Sequence, residues 1–247
     1  MTRDTVLITG AAGGLGAAIA VALHEAGFCV AVADIDRDGA DDVARRLDPS
    51  GETALSIAFD VRDEGGFVAA RNLLIERWGS VEALVNNAAL TAVKPILEIA
   101  AEEFDAVMAV NLRGTFLGCQ VFGRMFKASG YGRIVNLASL AGQNGGTATG
   151  AHYAISKGGI ATMTKVFARD LAPFGVTANA IAPGPLETPI VHQVVPEDRM
   201  AQFIANIPVR SLGDTSFIAS IAARLCARDA GFMTGATIDI NGGLYMR

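Results

Sequence analysis

Short apolar runs alternate with longer amphipathic stretches along this chain, and the alternation predicts its elements. Val6-Leu7-Ile8 reads as a buried strand. A glycine-rich turn follows, and then Ala17-Ala18-Ile19-Ala20-Val21-Ala22-Leu23, a run of good helix formers. Phe28–Ala33 and Ala54–Phe59 predict second and third strands, with helices over about 36–47 and 63–78. Val81–Val85 predicts a fourth strand, and apolar residues at helical spacing run from Phe104 to Phe126. Arg133–Ala138, Val176–Ile181 and Ala236–Ile240 complete seven strands, with helices over about 151–171 and 215–227 between them. Strands separated by helices of about 12–25 residues need parallel, right-handed crossovers. The expectation is an α/β fold: a doubly wound, Rossmann-like parallel sheet of seven strands in one domain spanning 1–247.

Composition supports a large core and narrows the partners. The chain has 247 residues, of which 51% are hydrophobic and 28 are glycine, so a packed core with many tight turns is expected. Net charge is −5 with no basic run, which argues against nucleic acid. No apolar stretch approaches the roughly 20 residues of a membrane span. Met1-Thr2-Arg3-Asp4 runs straight into the first strand, so no signal peptide is expected. Cys29, Cys119 and Cys226 lie far apart inside apolar segments and read as reduced thiols of a cytoplasmic protein. His24, His152 and His192 make no ligand spacing, so no metal is expected.

In open parallel sheets ligands bind at the carboxyl ends of the strands. The residues there are Gly10–Gly16, Asp34, Asp60-Val61, Asn86–Ala89, Ser139 and Pro183–Thr188. The first loop reads Gly10-x-x-x-Gly14-x-Gly16. It joins a strand to a helix whose first N–H groups lack intrahelical partners and sit at the positive dipole end. That makes a phosphate site, or merely a tight turn. Asp34, closing the second strand, is placed to accept from adenosine ribose hydroxyls and to repel a 2′-phosphate; it also suits a helix N-cap for 36–47. Arg37 is expected on the surface of that helix. Ser139 ends the fifth strand, and Tyr153 and Lys157, four apart, share one helix face. A free phenol has a pKa near 10, and a nearby ammonium favours its ionised form. Tyr153 is then a candidate acid/base, with a plain surface pair as the alternative. His152 adjoins Tyr153 but faces another way.

Taken in order, the Thr9–Gly16 loop, Asn86-Asn87-Ala88, Asn111, Ser139, Tyr153-x-x-x-Lys157 and Pro183-Gly184 closely resemble a classical short-chain dehydrogenase/reductase, over the whole chain from Val6 to Asn241-Gly242-Gly243. The resemblance implies a nicotinamide-dependent oxidoreductase. Its tetrad would be Asn111, Ser139, Tyr153 and Lys157, without a catalytic metal. Tyr153 would be the acid/base, Ser139 would hold the substrate oxygen, and Lys157 would bind the nicotinamide ribose and lower the Tyr153 pKa. Asn111 would hold a water linking Lys157 to solvent. The cofactor would lie along Gly10, Gly13, Gly14, Leu15, Gly16, Asp34, Ile35, Asp60, Val61, Asn87, Ala88 and Ala89, then Pro183, Gly184, Leu186 and Thr188. Gln143 and Asn144 would join Ser139 and Tyr153 at the substrate. Asp34 favours NAD(H) over NADP(H). The family is commonly tetrameric, with helices of about 101–127 and 151–171 packing across subunits.

Two details depart from the family pattern. Ala89 stands where glycine usually follows Asn-Asn-Ala, and Asn241 replaces the commoner Asp before Gly-Gly. The tail Asn241–Met246 looks like that of 3-oxoacyl-thioester reductases. Those acting on acyl-carrier-protein substrates carry basic residues beside the cleft, where this chain has Gly130 and Phe174. Residues 186–210 read as an apolar lid: Pro189, Ile190, Val191, Val194 and Val195 precede Met200, Phe203, Ile204 and Ile207 at near-helical spacing. A small helix packed on the sheet is the alternative. The leading reading is an NAD(H)-linked secondary-alcohol dehydrogenase or ketone reductase acting on a small molecule. An NADPH-linked 3-oxoacyl-thioester reductase and a non-catalytic cofactor-sensing protein are the alternatives.

Overall fold

The seven apolar runs form seven strands of one parallel sheet. A computed structural model describes residues 3–91, 93–146, 149–188, 191–192 and 195–247. Strands β1 (Thr5–Thr9), β2 (Cys29–Asp34), β3 (Ala54–Ala58), β4 (Ala83–Asn86), β5 (Gly132–Leu137), β6 (Val176–Pro183) and β7 (Thr237–Ile240) lie in the order β3-β2-β1-β4-β5-β6-β7. Every adjacent pair is parallel; Leu7 stands opposite Ala31 on one side and Leu84 on the other. Because β1 is buried on both faces, it reads as an unbroken apolar run.

Side chains alternate across the sheet and build two cores. Val6 and Ile8 pack with Ile19 and Leu23 of α1 (Gly14–Glu25), Val43 of α2 (Arg37–Leu47), and Ile218 and Leu225 of a late helix, Thr215–Cys226. Leu7 faces the other way, toward Phe67 and Leu74 of α3 (Glu64–Trp78) and two long helices beyond it. The first of these begins as α4 (Ala101–Met108), passes through a π turn at Ala109–Arg113, and continues as α5 (Gly114–Ser129). The apolar spacing from Phe104 to Phe126 predicts one regular helix, so the π turn is a correction. Its cause is non-local. Asn111 Oδ1 accepts from Leu90 N at 2.7 Å and its Nδ2 donates to Leu90 O at 3.0 Å, which fixes the turn from outside the helix.

The remaining helices are α6 (Ala141–Asn144), α7 (Ala151–Leu171), α8 (Glu197–Ala205) and α9 (Thr215–Cys226). Helix α6 is a single turn that the apolar pattern does not announce. No helix among the described residues is long and apolar enough to cross a membrane.

Candidate active site

Strand order reverses between β1 and β4, and the loops leaving those strands part to open a cleft of about 960 Å³. One end is built by the glycine loop. Gly10 has φ +65°, and a Cβ there would lie 2.6 Å from Ala88 Cα; a Cβ on Gly16 would lie 2.1 Å from Gly10 O. These two glycines bring the turn against the β4 loop. Asn87 completes the joint, donating from Nδ2 to Gly10 O at 2.7 Å, while Thr9 Oγ1 accepts from the Asn87 and Ala88 N–H groups.

Gly13 and Gly14 differ from them. A Cβ on either would meet nothing within 4 Å, and both line the cleft with Leu15. Gly13 caps α1 without a side-chain hydrogen bond, and the first turn carries no acidic residue. Open space therefore stands before a bare helix N-terminus, which suits a pyrophosphate. The glycine loop thus fits the dinucleotide that the fold implies.

Asp34 and Ile35 line the same end. Asp34 Oδ2 accepts from Ala12 N at 3.0 Å and Oδ1 from Asp36 N at 3.1 Å, so the carboxylate is held in place with lone pairs to spare. The N-cap of α2 is Asp36, not Asp34. Arg37 is exposed at the start of that helix. Asp60 and Val61 also line the cleft. Arg62, absent from the sequence reading, forks the Asp60 carboxylate from Nε at 2.8 and 3.0 Å and holds its carboxyl below the usual carboxylate range. Ala88 and Ala89 also line the cleft, and Ala89 is exposed.

The other end gathers the hydroxyls. Ser139, Tyr153 and Lys157 meet there, from the end of β5 and from α7. Burial pushes the Tyr153 phenol above its ordinary pKa of 10, and hydrogen bonds from Ser139 and Thr91 pull it back. Thr91 was not legible as a site residue; its position in the loop after β4 was the available signal. Ser139 Oγ also accepts from Ala141 N at 3.1 Å. Lys157 is 3% exposed, which excludes a surface pair. Its Nζ donates to Leu137 O at 2.6 Å and stands 5.6 Å from the Tyr153 ring centre. Desolvation lowers its own pKa to about 8. The two hydroxyls thus ease ionisation of the phenol, with the Lys157 amine beside its ring.

Two further placements need description. Asn111 is fully buried and all its polar atoms are engaged: the Leu90 backbone takes two bonds, Ser156 Oγ accepts from Nδ2 at 3.0 Å, and Thr115 Oγ1 donates to its carbonyl. Its carboxamide ties the β4 loop to α7. Gln143 turns to Asp239 on β7 instead of to the substrate end, whereas its neighbour Asn144 does line the cleft. His152 is buried and accepts from Tyr153 N through Nδ1.

Pro183, Gly184, Leu186 and Thr188 line the cleft after β6. Val191, Val195, Phe203 and Ile207 close its far side with apolar surface. Pro189, Ile190 and Val194 lie outside the described residues. No cluster of three or more His, Cys, Asp or Glu among the described residues is arranged to hold a metal.

Comparison with known proteins follows the same lines. A family model described as enoyl-(acyl carrier protein) reductase matches residues 10–245. The chain is 35% identical over 250 residues to (3R)-3-hydroxyacyl-CoA dehydrogenase of Mus musculus, covering 97% of this chain and 95% of the relative. It is 35% identical over 240 residues to 3-oxoacyl-(acyl-carrier-protein) reductase FabG of Vibrio cholerae, covering 97% and 96%. A crystal structure described as a short-chain alcohol dehydrogenase from Sinorhizobium meliloti matches with a TM-score of 0.90 at 33% identity, covering 98% of this chain and 96% of that one.

Proposed function

Since this chain belongs to the classical short-chain dehydrogenase/reductase family of oxidoreductases, we propose that it interconverts a secondary alcohol and a ketone with NAD(H). The observation that carries the reading is one cleft with a bare helix N-terminus at one end and the Tyr153, Ser139 and Thr91 hydroxyls at the other.

A bound nicotinamide supplies the hydride acceptor or donor. The chain's own residues hold and position. Gly13, Gly14 and Leu15 receive the pyrophosphate on α1. Asp34 takes the adenosine ribose hydroxyls, and its charge opposes a 2′-phosphate, which is the reason for NAD(H) over NADP(H). Ile35, Asp60 and Val61 flank the adenine. Asn87, Ala88, Ala89, Pro183, Gly184, Leu186 and Thr188 line the path to the nicotinamide. Lys157 would offer its ammonium to the nicotinamide ribose. Ser139 orients the substrate oxygen. Tyr153 takes the hydroxyl proton in oxidation and returns it in reduction. Asn111 acts by holding the loop that carries Thr91. Val191, Val195, Phe203 and Ile207 cover the far side of the cleft, and their apolar surface suits a moderately hydrophobic substrate.

A second reading has its own support: relatives at 35% identity are named for 3-hydroxyacyl-CoA and 3-oxoacyl-(acyl-carrier-protein). A 3-hydroxyacyl thioester is itself a secondary alcohol, so the same hydroxyls would serve it. Initial rates with NADH and NADPH, on a panel of ketones and on acetoacetyl-CoA, separate the two. The expected result is turnover with NADH; strict dependence on NADPH with thioesters overturns the first reading. The buried, unpaired thiols of Cys29, Cys119 and Cys226 suit a reducing, cytoplasmic setting.

A further inference from the structure

The Gln143 side chain belongs to a tie between the substrate wall and the sheet edge. Helix α6 carries that wall from Ser139 to Asn144. One side of it rests on α7, where a Cβ on Gly142 would lie 2.5 Å from Gly158 N, so backbone meets backbone. The other side reaches β7. Ile238 and Ile240 face the core formed with α1 and α9, so strand alternation turns Asp239 to the opposite face. There Asp239 Oδ1 accepts from Gln143 Nε2 at 2.5 Å. The same carboxylate is forked by Arg247, with Nε to Oδ2 at 2.7 Å and Nη2 to Oδ1 at 2.9 Å. Nη2 donates again to Thr237 O at 3.3 Å.

This arrangement fixes which way the amide points. Reversing it would set Gln143 Oε1 against a carboxylate, so the nitrogen must face Asp239. Oε1 is then left buried and without a hydrogen-bond partner among the described residues. A buried acceptor with no donor is costly and marks a bond worth keeping on the other atom. The Arg247 guanidinium holds the Asp239 carboxyl below the usual carboxylate range, so it remains an ionised acceptor.

We infer that Gln143, Asp239 and Arg247 form a latch that holds α6 against β7 and so sets the distance between the substrate wall and Tyr153. All three are positioning residues: they act through Ser139 and Asn144, not on the substrate. The inference rests on the proposed reading of this cleft as the alcohol or ketone site.

The test uses the full chain with Arg247→Ala, Arg247→Lys and Gln143→Leu. The measurements are kcat and KM for the best ketone with NADH, the NADH dissociation constant by fluorescence titration, and amide hydrogen exchange of residues 139–146. Arg247→Ala and Gln143→Leu are expected to raise the ketone KM about five- to tenfold, with kcat and the NADH constant within about twofold. Exchange at 139–146 quickens in both, and Arg247→Lys recovers most of the loss. An unchanged KM, or an equal rise in the NADH constant, overturns the latch. If the unaltered chain turns over no ketone, the functional reading fails instead. Exchange then still decides: unaltered protection at 139–146 in Arg247→Ala overturns the latch. Gln143→Leu removes a single bond and keeps the test usable if Arg247→Ala does not fold.

Discussion

Two demands meet at Lys157. Its ammonium is wanted beside the nicotinamide ribose, yet the ligand-free fold buries it with one carbonyl, Leu137 O, for company. Desolvation brings its pKa from 10.5 to about 8. The unfolded chain therefore takes up that proton before the folded chain does, and between pH 8 and 10.5 it binds more protons. The Lys157 contribution to stability rises with pH across that window, by roughly 3 kcal/mol in all. Tyr153, raised by burial, works against that rise above about pH 10, where an unfolded tyrosine has ionised and Tyr153 has not. The buried Cys119 and Cys226 thiols, which burial raises to about 12, oppose this rise as unfolded thiols ionise near pH 9, so the test is a difference: from pH 8 to 9.5 calorimetry is expected to show the Tm of the unaltered chain gaining several degrees relative to that of Lys157→Met. An unchanged difference between the two chains would mean the amine is not desolvated as described. Tyr153→Phe removes only the proton carrier. It is expected to cut kcat about 10²- to 10⁴-fold while NADH binding by fluorescence holds steady; retained turnover would remove Tyr153 from its assigned role. Ser139, Tyr153 and Lys157 stood out in the sequence by place and spacing, but their roles came from the family resemblance. Thr91 did not, because its role depends on the Leu90 backbone being clamped by Asn111, a partner 21 residues away.

At the scale of elements, the glycine loop separates two requirements that look alike in the sequence. Gly16 is needed by the fold: its missing Cβ is the room in which Gly10 O sits, so Gly16→Ala is expected to lower Tm sharply or prevent folding. Gly13 is, on the proposed reading, kept for the ligand. Its φ of −168° suits any residue and a Cβ there meets open cleft. Gly13→Ala should keep Tm within about 1 °C, since strain-free surface changes cost little. The same variant should weaken NADH binding at least about tenfold by fluorescence titration. Equal binding in that variant would place the pyrophosphate elsewhere. The strands and main helices were readable because buried parallel strands are continuous apolar runs and Gly79, Gly130 and Gly175 close the segments between them in left-handed turns. The π turn and α6 were not. Each is set by a bond to a distant element, Asn111 to Leu90 and Gln143 to Asp239, and no local period carries that information.

For the whole molecule, α5 and α7 present apolar side chains outward. Phe116, Ile155 and Val166 are 40–50% exposed, and Phe116 stacks obliquely on Phe167 with ring centres 6.0 Å apart. Surfaces of this kind mark association. We propose that these helices pack across subunits in a tetramer, as the family resemblance implies. Light scattering of the purified chain is expected to give four times the 25.6 kDa of one copy; a monomer refutes it.

The sheet is laid down outward from β1 in two directions, with β2 and β3 on one side and β4 to β7 on the other. A ribosome delivers these halves in turn. Until Ala83–Asn86 has left the exit tunnel, the β1 flank meant for it carries unpaired N–H and C=O groups beside Leu7 and Ile8. A bare, apolar strand flank is what chaperones grasp and what seeds aggregation in a nascent chain. The crevice proposed to admit a dinucleotide is therefore also the seam whose two strands wait longest for each other along the chain.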